Sequence, residues 1–131
     1  MFRDIEVVLK GPEAELPAGL FFRDKDGHQR TAIRARWYLP PVGNTYRTYA
    51  LQADEADCDE PPTAAAAETA RVYPIDARPV FFGHYWLRAD KPSRLAPNVA
   101  CVDYSVAKGG YLCAYCWDGE AEIDGRKFVV A

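Results

Sequence analysis

Apolar residues in this chain come in short runs, each soon broken by a turn-forming residue, and few segments repeat with a helical period. A chain punctuated in this way cannot build long helices. What it can bury is a set of short strands joined by turns. Ile5 to Leu9 reads as a first strand, stopped by Gly11-Pro12. Phe21-Phe22 and then Thr31 to Tyr38 flank Asp24-Lys25-Asp26-Gly27, whose Asp-Gly step is hairpin chemistry. Ala32 to Trp37 alternates apolar and charged side chains, as a half-exposed strand does, and Thr45 to Leu51 reads as another strand. Val80-Phe81-Phe82 is continuously apolar and suits a strand buried on both faces. Asn98 to Val106 and Tyr111 to Trp117 are joined by Ala107-Lys108-Gly109-Gly110 and followed by Asp118-Gly119 and Asp124-Gly125. That pattern predicts a C-terminal meander of about three strands.

Residues 53 to 68 differ in character. Asp54, Glu55, Asp57, Asp59 and Glu60 precede Pro61-Pro62 and then four alanines, which predicts a solvated acidic loop running into a short helix. No internal repeat and no strong linker divides the 131 residues, so one domain spanning 1–131 is expected. The expected fold class is α+β and mostly β, with one or two mixed or antiparallel sheets and at most one short helix.

The formal charge of −3 offers no basic face for phosphate contacts, so nucleic acid is not an expected partner. No apolar run approaches the roughly 20 residues that span a bilayer. The segment Met1 to Glu6 lacks the basic and apolar stretches of a signal peptide, which sets the expectation of a cytoplasmic protein with no membrane partner. In that compartment the four cysteines are expected as thiols.

Gly83-His84 closes the most buried-looking strand, where ligands gather beyond strand carboxyl ends in layered α/β folds. A glycine before the histidine leaves room for close approach, and imidazole is the commonest protein metal ligand. Spacing alone leaves His84 open to two roles, a packed hydrogen-bonded residue beside Tyr85 and Trp86 or a metal ligand. Cys113-Ala114-Tyr115-Cys116 spells CxxC, but in a strand positions three apart point to opposite faces, so buried structural thiols are expected there. An independent zinc protein built on Cys58, Cys101, Cys113 and Cys116 is a weaker reading. Asp24-Lys25-Asp26-Gly27-His28 is excluded as an EF-hand, because Phe22 and Ile33 would occupy its first and twelfth positions. His28 reads as a surface residue of the turn. Lys108-Gly109-Gly110 lacks phosphate-loop spacing, and two histidines leave little room for a Ser/His/Asp triad.

Together, the stretches PVFFGHYWL (79 to 87) and APNVACVDYSVAKGGYLCAYCWDGE (96 to 120) resemble the carboxyl-terminal part of bacterial calcineurin-like metallophosphoesterases. The similarity is to the branch related to diadenosine tetraphosphatases and serine/threonine protein phosphatases. There a buried strand ends in Gly-His, a following strand carries an Asp-Tyr or Asp-Thr step, and a Gly-Gly turn leads into the last strand. VVLKGPEAELPAG (7 to 19) and DKDGHQRTAIRARWY (24 to 38) resemble the linker and hairpin before that ending, and residues 50 to 72 are least informative. The resemblance implies a four-layer sandwich with two central sheets. It also implies two divalent metals, manganese, iron or zinc, that clamp a phosphate and activate a bridging water. By the match at Gly83-His84, His84 is implied as a ligand of one metal. Many relatives carry a second histidine two places later; position 86 here is Trp, as in the tetraphosphatase-like branch.

The family's Asp-x-His, Gly-Asp and Gly-Asn-His motifs supply most of its ligands and belong to its N-terminal half, which the resemblance does not reach. One imidazole cannot hold a hard divalent ion. No catalytic residue is therefore assigned, and whether the chain is an enzyme stays open. The expected function is that of a carboxyl-terminal part of a metal-dependent phosphoesterase, hydrolysing phosphoesters or dinucleoside polyphosphates in the complete enzyme. Alone, the chain is expected to be inactive and metal-free. Its expected partner is the N-terminal half. The alternative is a non-catalytic binding or structural domain that self-associates as a homodimer through an uncovered apolar face.

Overall fold

A computed structural model of the chain describes residues 7, 11–24, 27–52, 57–69 and 72–131. The fold is α+β and mostly β, with short strands in small sheets. It divides into two compact units, Met1–Tyr73 and Pro74–Ala131.

In the first unit, β1 (Glu13–Glu15) pairs antiparallel with β4 (Ala32–Arg34), which sets Ala14 opposite Ile33. Both are fully buried while Glu13 and Glu15 stay exposed, so the period-2 pattern aims one face inward. Burying Ile33 contributes about 1.5–3 kcal/mol. β2 (Phe22–Arg23) and β3 (Gln29–Arg30) form the expected hairpin across 24–28, and Asp24 closes it by accepting the His28 N–H at 2.9 Å. The alternation expected from Ala32 onward holds, with Ile33 and Ala35 buried between half-buried neighbours. The strand expected at 5–9 lies outside the described residues except Val7, which is helical rather than extended, its carbonyl accepting the Gly11 N–H four residues on at 2.9 Å.

The strand expected over Thr45 to Leu51 is instead a helix, α1 (Tyr46–Tyr49). Thr and Tyr favour strands, but Thr45 and Thr48 cap each other: Thr45 Oγ1 accepts the Thr48 N–H at 3.3 Å and Thr48 Oγ1 accepts the Thr45 N–H at 2.9 Å. The turn then sets Tyr46 and Tyr49 on one face, and both are fully buried. The Tyr46 hydroxyl donates to the Glu15 carbonyl at 2.8 Å and accepts the Thr63 N–H at 3.2 Å, joining three segments at one atom. The expected alanine helix is α2 (Ala64–Thr69), which starts where the Thr63 hydroxyl accepts the Ala66 N–H. It packs on β1 through Ala66, and small side chains on both elements allow the close approach. Among the described residues the two short helices α1 and α2 thus stand where at most one was expected. Of the acidic loop, 53–56 lies outside the described residues.

In the second unit, β5 (Val80–Phe82) runs parallel to β7 (Val99–Cys101), and β6 (Arg94–Ala96) lies antiparallel on its other side. The strand buried on both faces is therefore β7, whose three residues are all fully buried. β5 is an edge strand and only half-buried, contrary to its apolar spelling. The expected meander is present as β8 (Asp103–Tyr104), β9 (Tyr111–Tyr115) and β10 (Phe128–Val130), in the order β10-β9-β8. Its inner face meets β5 through Phe81 and Tyr115, with ring centroids 4.8 Å apart. Buried Asn98 donates to the carbonyls of Pro74 and Ala77 at 2.8 and 3.0 Å and so ties down the start of the unit. With the β1/β4 and β2/β3 pairs, the described residues form four small sheets rather than one or two.

Candidate functional site

The parallel register Val80↔Val99, Phe81↔Ala100, Phe82↔Cys101 brings the end of β5 level with the residues just after β7. The turn 83–87 therefore lies against 103–105. Tyr85 anchors it: its side chain is buried and meets Phe82 edge-on at 5.3 Å. The flanking residues His84 and Trp86 are exposed. Lys108, from the short 3-10 turn Val106–Lys108, sets its ammonium 4.2 Å over the Trp86 ring, a cation–π contact.

Backbone strain concentrates here. Among the described residues, the non-glycine residues with positive φ are His84 (77°), Trp86 (51°) and Ser105 (60°). Left-handed backbone costs an L-residue about 1–2 kcal/mol. Such outliers persist where surrounding contacts hold them, and they cluster at functional sites. The contacts come from Asp103 and Ser105. Asp103 Oδ2 accepts the Trp86 N–H at 3.4 Å, and Oδ1 accepts the Ser105 N–H at 3.1 Å. The Leu87 N–H donates to the Asp103 carbonyl at 3.0 Å, and the Ser105 hydroxyl donates to the Leu87 carbonyl at 3.2 Å. The sequence flagged Gly83-His84 but gave Asp103 no role, because its placement depends on the parallel pairing of β5 with β7.

The glycine that a close approach requires is Gly110, not Gly83. A Cβ at position 110 would fall 1.8 Å from the Tyr104 carbonyl oxygen, whereas one at 83 would meet only the Asp103 Cβ at an ordinary 3.6 Å.

His84 makes a distant edge contact with Tyr85, centroids 6.4 Å apart. Among the described residues, no group of three or more His, Cys, Asp or Glu side chains could hold a metal ion. The described residues thus do not by themselves fit the two-metal centre that the resemblance implies. The spelling Asp-x-His does occur, at Asp26-Gly27-His28 in the β2–β3 hairpin. Asp26 lies outside the described residues, and His28 is an exposed side chain 3.6 Å from Asp24.

Cys113 is buried and Cys116 exposed, as opposite faces of a strand require, so only the first fits the expected buried thiol. Burial pushes the Cys101 thiol up to about 11 and raises that of Cys113. Burial thus disfavours the thiolate form of both side chains. At the far end of β9, the Tyr115 hydroxyl bonds the Glu120 carboxylate at 2.5 Å, and Lys127 bridges Asp118 and Glu120 at 2.5 and 3.0 Å. Lys127 and Glu120 are half-buried and only Asp118 is exposed, so one hydrogen bond and two ion pairs close the loop after β9. Among the described residues, no helix is long and apolar enough to cross a membrane. No protein family, no curated protein and no solved structure matches the chain.

Proposed function

We propose that this chain is the carboxyl-terminal part of a metal-dependent phosphoesterase and contributes His84 to a site completed by another polypeptide. The observation that carries the reading is the conformation of His84. An exposed imidazole sits at φ 77°, immediately beyond the carboxyl end of a strand in a parallel pair. A surface histidine with no task has no reason to occupy a position that glycine would fill without strain. The resemblance of 79–87 and 96–120 to calcineurin-like metallophosphoesterases supplies the chemistry, hydrolysis of a phosphoester or dinucleoside polyphosphate with manganese, iron or zinc. On this reading the strands form part of a four-layer sandwich. The other ligands come from the completing half, and the four cysteines are the thiols of a cytoplasmic protein. The test mixes the chain with a polypeptide carrying the Asp-x-His, Gly-Asp and Gly-Asn-His motifs and follows metal-dependent hydrolysis of p-nitrophenyl phosphate and a dinucleoside tetraphosphate. Activity should require both components and fall at least about 10-fold in His84→Ala, the loss that even a residue behind a ligand produces. An unchanged rate in that variant removes His84 from the mechanism.

A second reading, a self-associating domain without catalysis, is favoured by the outer face of the β8–β9–β10 sheet. Leu112 and Val129 are 59% and 53% exposed there, on the side opposite Cys113, with exposed Ala114 between them. Sedimentation of the pure chain separates the readings, since a monomer at high concentration sinks this one.

A further inference from the structure

We propose that Asp103 is the positioning residue of the His84 turn, holding that turn in its left-handed conformation through both of its carboxylate oxygens. The proposal rests on the phosphoesterase reading for what the imidazole does, and on the geometry of 83–87 and 103–105 for how it is held.

The three left-handed non-glycine residues do not lie along one segment. His84 and Trp86 follow β5, whereas Ser105 follows β8, so no single local sequence imposes the conformation. Trp86 and Ser105 share one neighbour, Asp103, and His84 lies two residues before Trp86 in the same turn. One oxygen takes the Trp86 N–H and the other the Ser105 N–H, so the carboxylate bridges the two strained segments. Its backbone carbonyl takes the next N–H along the turn, that of Leu87. The residue is itself fixed, because its N–H donates to Cys101 Sγ at 3.4 Å in the buried strand β7. The restraint is thus passed from a buried strand to an exposed turn.

Both carboxylate oxygens are used, which makes aspartate different from asparagine here. An amide keeps one acceptor and would set its NH2 group against the second N–H donor. A side chain held ready for a ligand loses less freedom when the ligand arrives, and a ligating group on a relaxed loop does not keep its aim. The same fixed turn holds Trp86 under the Lys108 ammonium, so the exposed imidazole, indole and ammonium are held from one clamp.

The test is made on the whole isotope-labelled chain by NMR. A residue with positive φ holds its amide hydrogen close to its own Hα, which gives a strong intraresidue cross-peak. His84, Trp86 and Ser105 should each show it. In Asp103→Ala the His84 and Trp86 cross-peaks should weaken several-fold. In Asp103→Asn the loss should be partial. Thermal melting of each variant is the control, because a merely structural aspartate lowers the melting temperature and leaves the His84 cross-peak of the folded fraction intact. An unchanged His84 cross-peak in both variants overturns the proposal. Should Asp103→Ala fail to fold, Asp103→Asn decides alone. Failure of the phosphoesterase reading looks different: no hydrolysis by the wild-type pair, with the cross-peaks responding to Asp103 as stated.

Discussion

In Met1–Tyr73, the described positions with left-handed backbone are all glycines: Gly11, Gly19, Gly27 and Gly43. In Pro74–Ala131 they include His84, Trp86 and Ser105 beside Gly109 and Gly119. Among its described residues the first unit keeps left-handed backbone to the residue that adopts it without strain, and it buries Ile33, Tyr46 and Tyr49 among alanines. The second spends three side chains where glycine would serve and restrains them with a carboxylate and a serine hydroxyl. A fold that needed only stability has no use for that arrangement. The difference teaches that the units answer to different demands, packing in one and side-chain placement in the other.

The contrast can be broken most directly at the core of the first unit. Tyr46→Ala removes a fully buried ring and leaves the Glu15 carbonyl and Thr63 N–H without their partner. It should cost about 4 kcal/mol in urea unfolding, and a loss under about 1 kcal/mol would mean that this core is not the source of stability. The second unit should respond with the opposite sign. His84→Gly is expected to raise stability by about 1 kcal/mol by releasing left-handed strain, measured as a higher urea midpoint at unchanged slope. A lower midpoint would show that His84 is placed for packing, and the contrast between the units would fall.

The smallest effect is electrostatic. Arg126 bonds Asp124 through its side chain and backbone N–H and holds the carboxyl down to about 2, from an ordinary 3.8. Stability from this pair is therefore complete above pH 3.8 and is lost as pH falls through about 2. Asp124→Asn should flatten the acid limb of the stability curve relative to wild type and leave the difference between the two constant above pH 5, about one unit beyond the ordinary range. An acid limb unchanged in Asp124→Asn would show that the pair adds nothing.

Much of this architecture is written locally. The Asp-Gly hairpin, the alanine helix after Pro61-Pro62, and the Gly-Gly turn before β9 each depend on residues next to one another, and each is legible from sequence. Helix α1 was not, because the strand preference of Thr and Tyr is overruled by the reciprocal Thr45–Thr48 cap. The exchanged roles of β5 and β7 were not legible either. Val80-Phe81-Phe82 is the more apolar spelling, yet sheet order puts Val99-Ala100-Cys101 at the centre. Of the site, the sequence singles out His84. The part of Asp103 emerges only once a parallel pair brings residues 17 to 19 positions apart together, a relation that no local spacing encodes.

The Tyr46 hydroxyl has a bearing on the order of folding. Its partners at Glu15 and Thr63 lie 31 and 17 positions away in the chain, so its bonds close only after three segments have met. The β2–β3 hairpin closes over a few residues and can form early, within microseconds. The tyrosine instead waits for distant pieces to converge, past the loop-closure entropy that separates them. A bond that closes late slows escape from the native state more than it hastens arrival there.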